Sequence, residues 1–413
     1  MSTQVKPGYK VTDIGVLPLE WNVKKLGEIT TLMTNGFVGT ATSAYVKSDN
    51  GILYVQGFNV EPNSFNFRGI KRVSAAFHAQ NQKSCLRTGD LLTIQTGDIG
   101  TTTLVPPSLA GANCHALVIS RLELRRSSPG FYCQYFNSDQ GRAAFKVIET
   151  GTTMKHLNVG DMVRLLVPSP PLDEQQAIAT ALFDMDALIS GLEQLIVKKI
   201  DIKQAAMQQL LTGRQRLPGF SGAWSSRRLA DICYVYSGGT PSTSNSEYYS
   251  GNIPWITSGD LNKRYITEVS GRISELGLSN SSARIVNANT LLVALYGATA
   301  GVTAISKIKA AINQAVLAII PSRGDVSFLY FKLSYLKDWI IATYTQGGQP
   351  NLSGAIVKSI EMLLPEMEEQ IAIASILSDM DAELAALEAR RDKAIQLKQA
   401  MMQELLTGRI RFV

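Results

Sequence analysis

The 413-residue sequence predicts an α+β chain in which two similar globular domains are separated by two long antiparallel coiled-coil helices, with pseudo-twofold symmetry. Three observations predict this. The helical ending "QAAMQQLLTGRQRL" at Gln204 returns as "QAMMQELLTGRIRF" at Gln399. Between Pro170 and Arg216, set against Pro365 to Arg411, about 26 of 47 positions are identical without a gap, so one unit is used twice. Inside both copies the apolar residues step by alternating fours and threes, the seam of a coiled coil.

The elements follow in order. Residues 1–169 form a first domain, 170–216 a first long helix, 217–364 a second domain and 365–413 a second long helix. Each domain is introduced by a related segment, "PGY" and "WNVKKLGEI" in the first, "PGF" and "WSSRRLADI" in the second. Two short strands around a glycine turn are expected in "GDLLTIQTGDIGTTTLV" and again in "NTLLVALYGATAGVTAI". A further strand follows in "HALVISRLEL" and "QAVLAII". A helix comes next, clearest where Asp325 can cap a segment whose Leu329, Leu333, Leu336 and Ile340 share one face. Each domain closes with a polar loop ("ETGTTMKHLN", "TQGGQPNLS") and a short apolar strand.

The helical seam is expected to pack Ile178, Leu182, Met185, Ile189, Leu192 and Ile196 of the first copy. From the second it takes Ile373, Leu377, Met380, Leu384, Leu387, Met401 and Leu405, with Ala394 between. About 40 residues at 1.5 Å each make a rod of roughly 60 Å, ended by Gly213 and Gly408. Charge order sets the direction. Both copies open acidic (Asp173, Glu174, Asp184, Asp186; Glu368, Glu369, Asp379, Asp381) and close basic (Lys198, Lys199, Lys203, Arg214; Lys393, Lys398, Arg409, Arg411). Parallel pairing would oppose like charges, whereas antiparallel pairing matches acid with base and opposes the helix dipoles. The C-terminal "TGRIRFV" is then expected beside the N-terminal "KPGY", so that moving the termini to the region of Leu217 preserves the fold.

Hydrophobic content of 45% suffices for two cores. No run approaches 18 apolar residues and the N-terminus lacks an apolar signal core, so a cytoplasmic chain without a membrane partner is expected. Four cysteines show no C-x-x-C spacing. The pair Cys114-His115 aligns with Asn313-Gln314, poor metal ligands, and no metal site is expected. Net charge is +6, with the domains basic and the helical segments slightly acidic.

No catalytic constellation emerges. The chain has no G-x-x-x-x-G-K-[ST] loop, no Asn-Pro-Pro-aromatic run for holding a flipped base, and no assembled Ser/His/Asp set. "SGGTPSTS" reads as a tight turn before a phosphate cradle. Candidate DNA contacts are basic residues mixed with aromatics and amides: Arg68, Lys71 and Arg72 in "FNFRGIKR", Lys155, Lys263, Arg264 and Tyr265 in "KRY", Arg272, Arg284, Lys307 and Lys309. Such side chains neutralise phosphates, and a minority reach base edges.

The run "SGGTPSTSNSEYYSGNIPWITSGDL", the closings "PPLDEQQAIA" and "PEMEEQIAIA" and the endings "LLTG" resemble the DNA-specificity (S) subunits of Type I restriction-modification systems over nearly the whole chain. The first domain is the less typical copy, since "TNGFVGTATSAY" lacks the Gly-Gly-Thr-Pro run. The resemblance implies two target-recognition domains, each reading half of a gapped site in double-stranded DNA, and rods that set the gap and dock two modification (methyltransferase) subunits. Restriction subunits would complete the complex. S-adenosylmethionine, ATP and Mg²⁺ would belong to those partners, and this chain would be no enzyme by itself. On physical grounds, two domains on one spacer make the second half-site encounter intramolecular. Half-site centres about one helical turn apart, on the order of 34 Å, would place both domains on one duplex face. The competing reading is a coiled-coil scaffold with protein-binding domains.

Overall fold

In the computed structural model, which describes residues 6–47, 49–152, 155–345 and 350–412, the chain forms two units. One comprises Met1–Glu193 with Arg390–Val413, the other Gln194–Ala389. Each unit thus contains one domain plus a segment of both long helices, Leu172–Leu210 and Met367–Leu405. Residues 153–154 and 346–349 of the two closing loops, and Val413 of the C-terminal segment, lie outside the described residues.

In the first unit an antiparallel sheet takes the order Thr102–Leu104, Leu91–Ile94, Leu117–Leu122, Thr30–Asn35. The glycine turn anticipated between the first two strands holds Gly97 and Gly100 at positive φ. A second sheet pairs Ile52–Val55 in parallel with Asn113–Cys114 and antiparallel with Lys71–Val73. The second unit repeats this plan. Cys233–Ser237, Val316–Pro321, Thr290–Ala294, Thr303–Ser306 and Tyr265–Ile266 make a five-stranded sheet, and Arg272–Ile273, Ile253–Ile256, Ala310–Ile312 and Arg284–Val286 a four-stranded one. Register corrects one alignment. Cys114 lies opposite Val55 and Ile312 opposite Ile256, so the counterpart of His115 is Asn313, one position from the sequence alignment.

The domain helix of the second unit, Val326–Tyr344, is capped by Asp325, which accepts from the Phe328 amide at 2.7 Å. Its Leu329, Leu333 and Ile340 are buried in the main core, with Leu336 packed against it. The first unit breaks the corresponding helix at Ser138 into Pro129–Asn137 and Asp139–Ile148. The Ser138 hydroxyl caps the Gly141 amide, satisfying a donor that the break exposes. A Cβ on Gly141 would lie 2.1 Å from the Tyr135 carbonyl, so only glycine allows the second piece to fold back this closely.

The long helices enter each core end to end. In the first unit Ile178 and Leu182 share a core with Leu405 and Leu406, so the start of one helix packs beside the end of the other. In the second, Ile373 and Leu377 share a core with Leu210 and Leu211. Direction within each unit is antiparallel. Asp186 pairs with Lys398 in the first. In the second, Lys203 pairs with Asp381 and Lys199 with Glu383 at 2.7 Å, the partner number falling as the first rises. Every seam residue proposed from the sequence is buried or half-buried. Both helices end before a glycine at φ +71, Gly213 and Gly408, whose amides return to the carbonyls of Leu210 and Leu405.

Two buried helix residues anchor each domain. Glu174 accepts from Trp21 Nε1 at 3.0 Å and from Arg411 Nε and Nη2 at 2.5 and 2.9 Å. Glu369 accepts in the same way from Trp224 Nε1 at 3.2 Å and from Arg216 Nε and Nη2, both at 2.7 Å. Gln175 and Gln370 each donate to a proline carbonyl five residues back, Pro170 and Pro365. Each also accepts from the amide of the residue capping the domain helix, Ser128 and Asp325. The "EQ" pair therefore ties together helix start, closing strand and domain helix. The first unit is finished by a hairpin absent from the sequence reading, Tyr9–Thr12 with Gly15–Pro18. Its Tyr9 hydroxyl donates to the Gly408 carbonyl at 3.0 Å, which sets Tyr9 of "KPGY" beside Gly408 of "TGRIRFV" as the charge order requires.

Candidate nucleic-acid interface

The basic residues proposed from the sequence separate into groups by what already holds them. Arg68 and Lys71 are exposed in the first unit, as are the rings of Phe58 and Phe67. Arg72, beside them in sequence, is half-buried and donates to the Gly51 carbonyl at 2.7 Å. Lys155 is exposed but pairs with Glu149 at 3.1 Å.

In the second unit Lys263 and Arg272 line one surface hollow of about 420 Å³, with Tyr265, Asn262 and Ser270. Lys263 is exposed, while Arg272 bonds back to the carbonyls of Val269 and Gly271. Lys307 lies 4.6 Å over the Tyr265 ring, and its ammonium donates to Asn289 at 2.7 Å. Lys309 is exposed at the start of the strand Ala310–Ile312 and lines a different hollow.

Arg264 has an internal role. Its guanidinium donates to Asp381 at 3.0 Å and to Ser378 at 2.7 Å, and lies against the rings of Tyr265, Tyr330 and Phe331. Only 12% of the side chain reaches solvent, so it joins the domain to the long helix and leaves little surface for a phosphate. The first unit makes the corresponding joint with neutral amides. Asp186, the counterpart of Asp381, accepts from Gln134 at 2.8 Å and Asn63 at 3.4 Å.

Arg284 is different again. It is exposed at the edge of the four-stranded sheet, with its guanidinium 4.0 Å over the ring of Tyr236 and one nitrogen 3.3 Å from the Tyr234 hydroxyl. Tyr236 is itself fixed, because its hydroxyl donates to the Ile285 carbonyl at 2.8 Å, and burial raises its pKa. The two tyrosines were absent from the sequence reading. Their spacing in "CYVYS", two positions apart on a strand and so on a single face, was the available signal.

The Gly-Gly-Thr-Pro loop is no phosphate cradle. A Cβ on Gly238 would meet the Ile312 carbonyl at 1.8 Å and one on Gly239 the Ser282 backbone at 2.6 Å. These glycines let the loop lie against the strand Ala310–Ile312 and the bend at Ser282. Cys114 and Cys133 are buried, which raises both thiols, and among the described residues no group of three His, Cys, Asp or Glu could hold a metal ion. Also among the described residues, no helix is long and apolar enough to cross a membrane.

Two mixed α/β units on one plan, with basic surfaces and two long helices, define a class of repeated recognition modules. A family model for the Type I restriction modification DNA specificity domain matches residues 18–201 and again 222–397, and the chain belongs to that family. Its members are the non-catalytic, DNA-recognising subunits of their systems. The Type I restriction enzyme MjaIX specificity subunit of Methanocaldococcus jannaschii is 37% identical over 170 residues, 38% of each chain. A putative MjaX specificity subunit from the same organism is 23% identical over 98% of this chain and 96% of its own. Among solved structures, a Type I S subunit from M. genitalium superposes with a TM-score of 0.60 at 16% identity, covering 97% of this chain and 99% of that one. The HsdS subunit from Thermoanaerobacter tengcongensis gives 0.50 at 19% identity, over 95% and 98%. Both describe the same fold.

Proposed function

We propose that this chain reads a gapped DNA site, one half by each unit, and brings cytoplasmic modification and restriction subunits to it. The observation that carries the reading is a shared scaffold with divergent surfaces. Both units repeat the Trp-Glu-Arg anchor and the Gln tie, yet one exposes Arg68 and Lys71 while the other exposes Lys263, Lys309 and a stacked Arg284. A duplicated frame carrying two different sets of contacts suits two different half-sites. Joining both sets in one chain makes the second contact intramolecular and raises affinity for the full site above either half.

The long helices would set the gap and offer their exposed faces to two methyltransferase subunits. S-adenosylmethionine, ATP and Mg²⁺ would be held by those partners and by the restriction subunits. The test is co-expression with the cognate modification subunit, followed by mapping of methylated bases across a genome. A two-part motif with an unread gap is the expected result. Methylation at a continuous motif, or none dependent on this chain, would refute the proposal.

A further inference from the structure

Arg284 differs from the other arginines whose side-chain contacts are described above. Arg72 and Arg272 are bonded to backbone carbonyls, Arg264 to Asp381, and Arg216 and Arg411 to buried glutamates. Among the described residues no carboxylate lies within ion-pair distance of Arg284, and it is exposed at a sheet edge. Its guanidinium is nevertheless held at two points, over the Tyr236 ring at 4.0 Å and by the Tyr234 oxygen at 3.3 Å. Tyr234 is itself 58% exposed, so this clamp stands at the surface and packs no core.

The fold does not need an arginine here. In the first unit Cys85 bridges Asn113 as Ile285 pairs with Ala311, which sets Ser84 at the position of Arg284. Ser84 is buried, and its hydroxyl accepts from Asn113 at 2.8 Å. The same scaffold therefore works with a small inward residue, and the clamped arginine belongs to one domain alone.

We infer that Arg284 is a specificity-determining residue of the second domain, presenting its planar fork to the O6 and N7 edge of a guanine in that domain's half-site. This deepens the reading above and rests on it. A phosphate can take either a bidentate guanidinium or the point charge of a lysine, so it does not require a held plane. A guanine edge needs two coplanar N–H groups at a set position, which is what the tyrosine clamp supplies. A bidentate contact of this kind discriminates against the wrong base by about 5- to 150-fold.

The experiment uses the full chain co-expressed with the cognate modification subunit, comparing the wild type with Arg284→Ala, Arg284→Lys and Tyr234→Phe by genome-wide methylation mapping. Thermal melting of each variant confirms folding. The expected result is loss of the requirement for one G·C pair in one half-site with Ala and with Lys, although Lys keeps the charge. Tyr234→Phe should relax the same position more weakly, leaving the other half-site unchanged. If methylation disappears altogether, the Arg284→Ala complex is assayed by competition with duplexes substituted at each base pair of that half-site. Equal binding at one formerly discriminated G·C pair supports the inference, and an unchanged rank order overturns it. An unchanged motif in Arg284→Ala, or full restoration by Lys, also overturns it. A wild-type complex with no gapped motif would instead refute the proposed function.

Discussion

Replacing Arg411 with alanine tests the anchor of the first unit. Glu174 is 3% exposed and has two partners, the Arg411 guanidinium and the Trp21 indole. The substitution leaves a buried carboxylate with one neutral donor. Breaking a buried pair in this way costs about 3–5 kcal/mol. Arg411 keeps 17% of its side chain in solvent, so water enters the vacated space and the expected loss is nearer about 2–3 kcal/mol. The second bond of Arg411, to the exposed Glu20 at 2.7 Å, is screened by water and adds little. For a unit of this size the sum lowers the melting temperature by about 5–10 °C. Urea denaturation of the full chain, followed by intrinsic fluorescence that includes Trp21, measures the loss. A double-mutant cycle with Glu174→Gln should return a coupling of about 1.5–3 kcal/mol. Arg409→Ala, which removes an exposed ion pair with Glu404, is the control and should change stability by less than about 0.5 kcal/mol. If Arg411→Ala costs no more than that control, the anchor is an ordinary surface pair and the reasoning fails.

Three further predictions follow from named contacts. Lys332 is 5% exposed, donates to the Leu211 carbonyl at 2.6 Å, and is pulled down to about 8 by burial. Below that pH both folded and unfolded chains carry the charge; between about 8 and 10.5 only the unfolded chain keeps its proton, so stability rises with pH. The wild type should gain on the order of 2–3 kcal/mol over Lys332→Met between pH 7.5 and 10 by urea denaturation, and parallel profiles would exclude a buried ammonium. Gly238→Ala drives a methyl into the Ile312 carbonyl and should destabilise the second unit by more than about 2 kcal/mol, whereas Gly191→Ala, on an open helix face, should stabilise by about 0.5–1 kcal/mol; the reverse order in a melting experiment would refute the packing argument. Lys263→Ala should lower affinity for cognate and non-cognate DNA alike and reduce the slope of log K against log salt by about 1, and a changed methylation motif would contradict a purely phosphate role.

The long helices were legible because periodicity and a duplicated sequence are local signals. Charge order then gave the pairing direction, since Asp186 with Lys398 and Asp381 with Lys203 are one contact seen in two copies. Strand pairs joined by short turns were legible for the same reason. The parallel pairing of Ile52–Val55 with Asn113–Cys114 was not, because nothing local records a partner so far along the chain. The site was harder still. Arg264 and Arg284 look alike in sequence, each a cation in a polar loop or strand end. One is turned inward by Asp381, 117 residues away, and the other outward by a tyrosine 48 residues back. The Trp21 echo at Trp224 was visible, but the glutamates that receive both indoles lie 153 and 145 residues downstream.

The division of the chain gives synthesis an order. Gln194–Ala389 is one uninterrupted stretch and can condense as soon as it clears the ribosome. Met1–Glu193, although made earlier, lacks Leu405, Leu406 and Arg411 until the second long helix has been made. The domain made first is therefore the last to close, and a product broken off early would carry one finished module beside an open, apolar one. Quality-control proteases would meet that exposed face only in the incomplete chain.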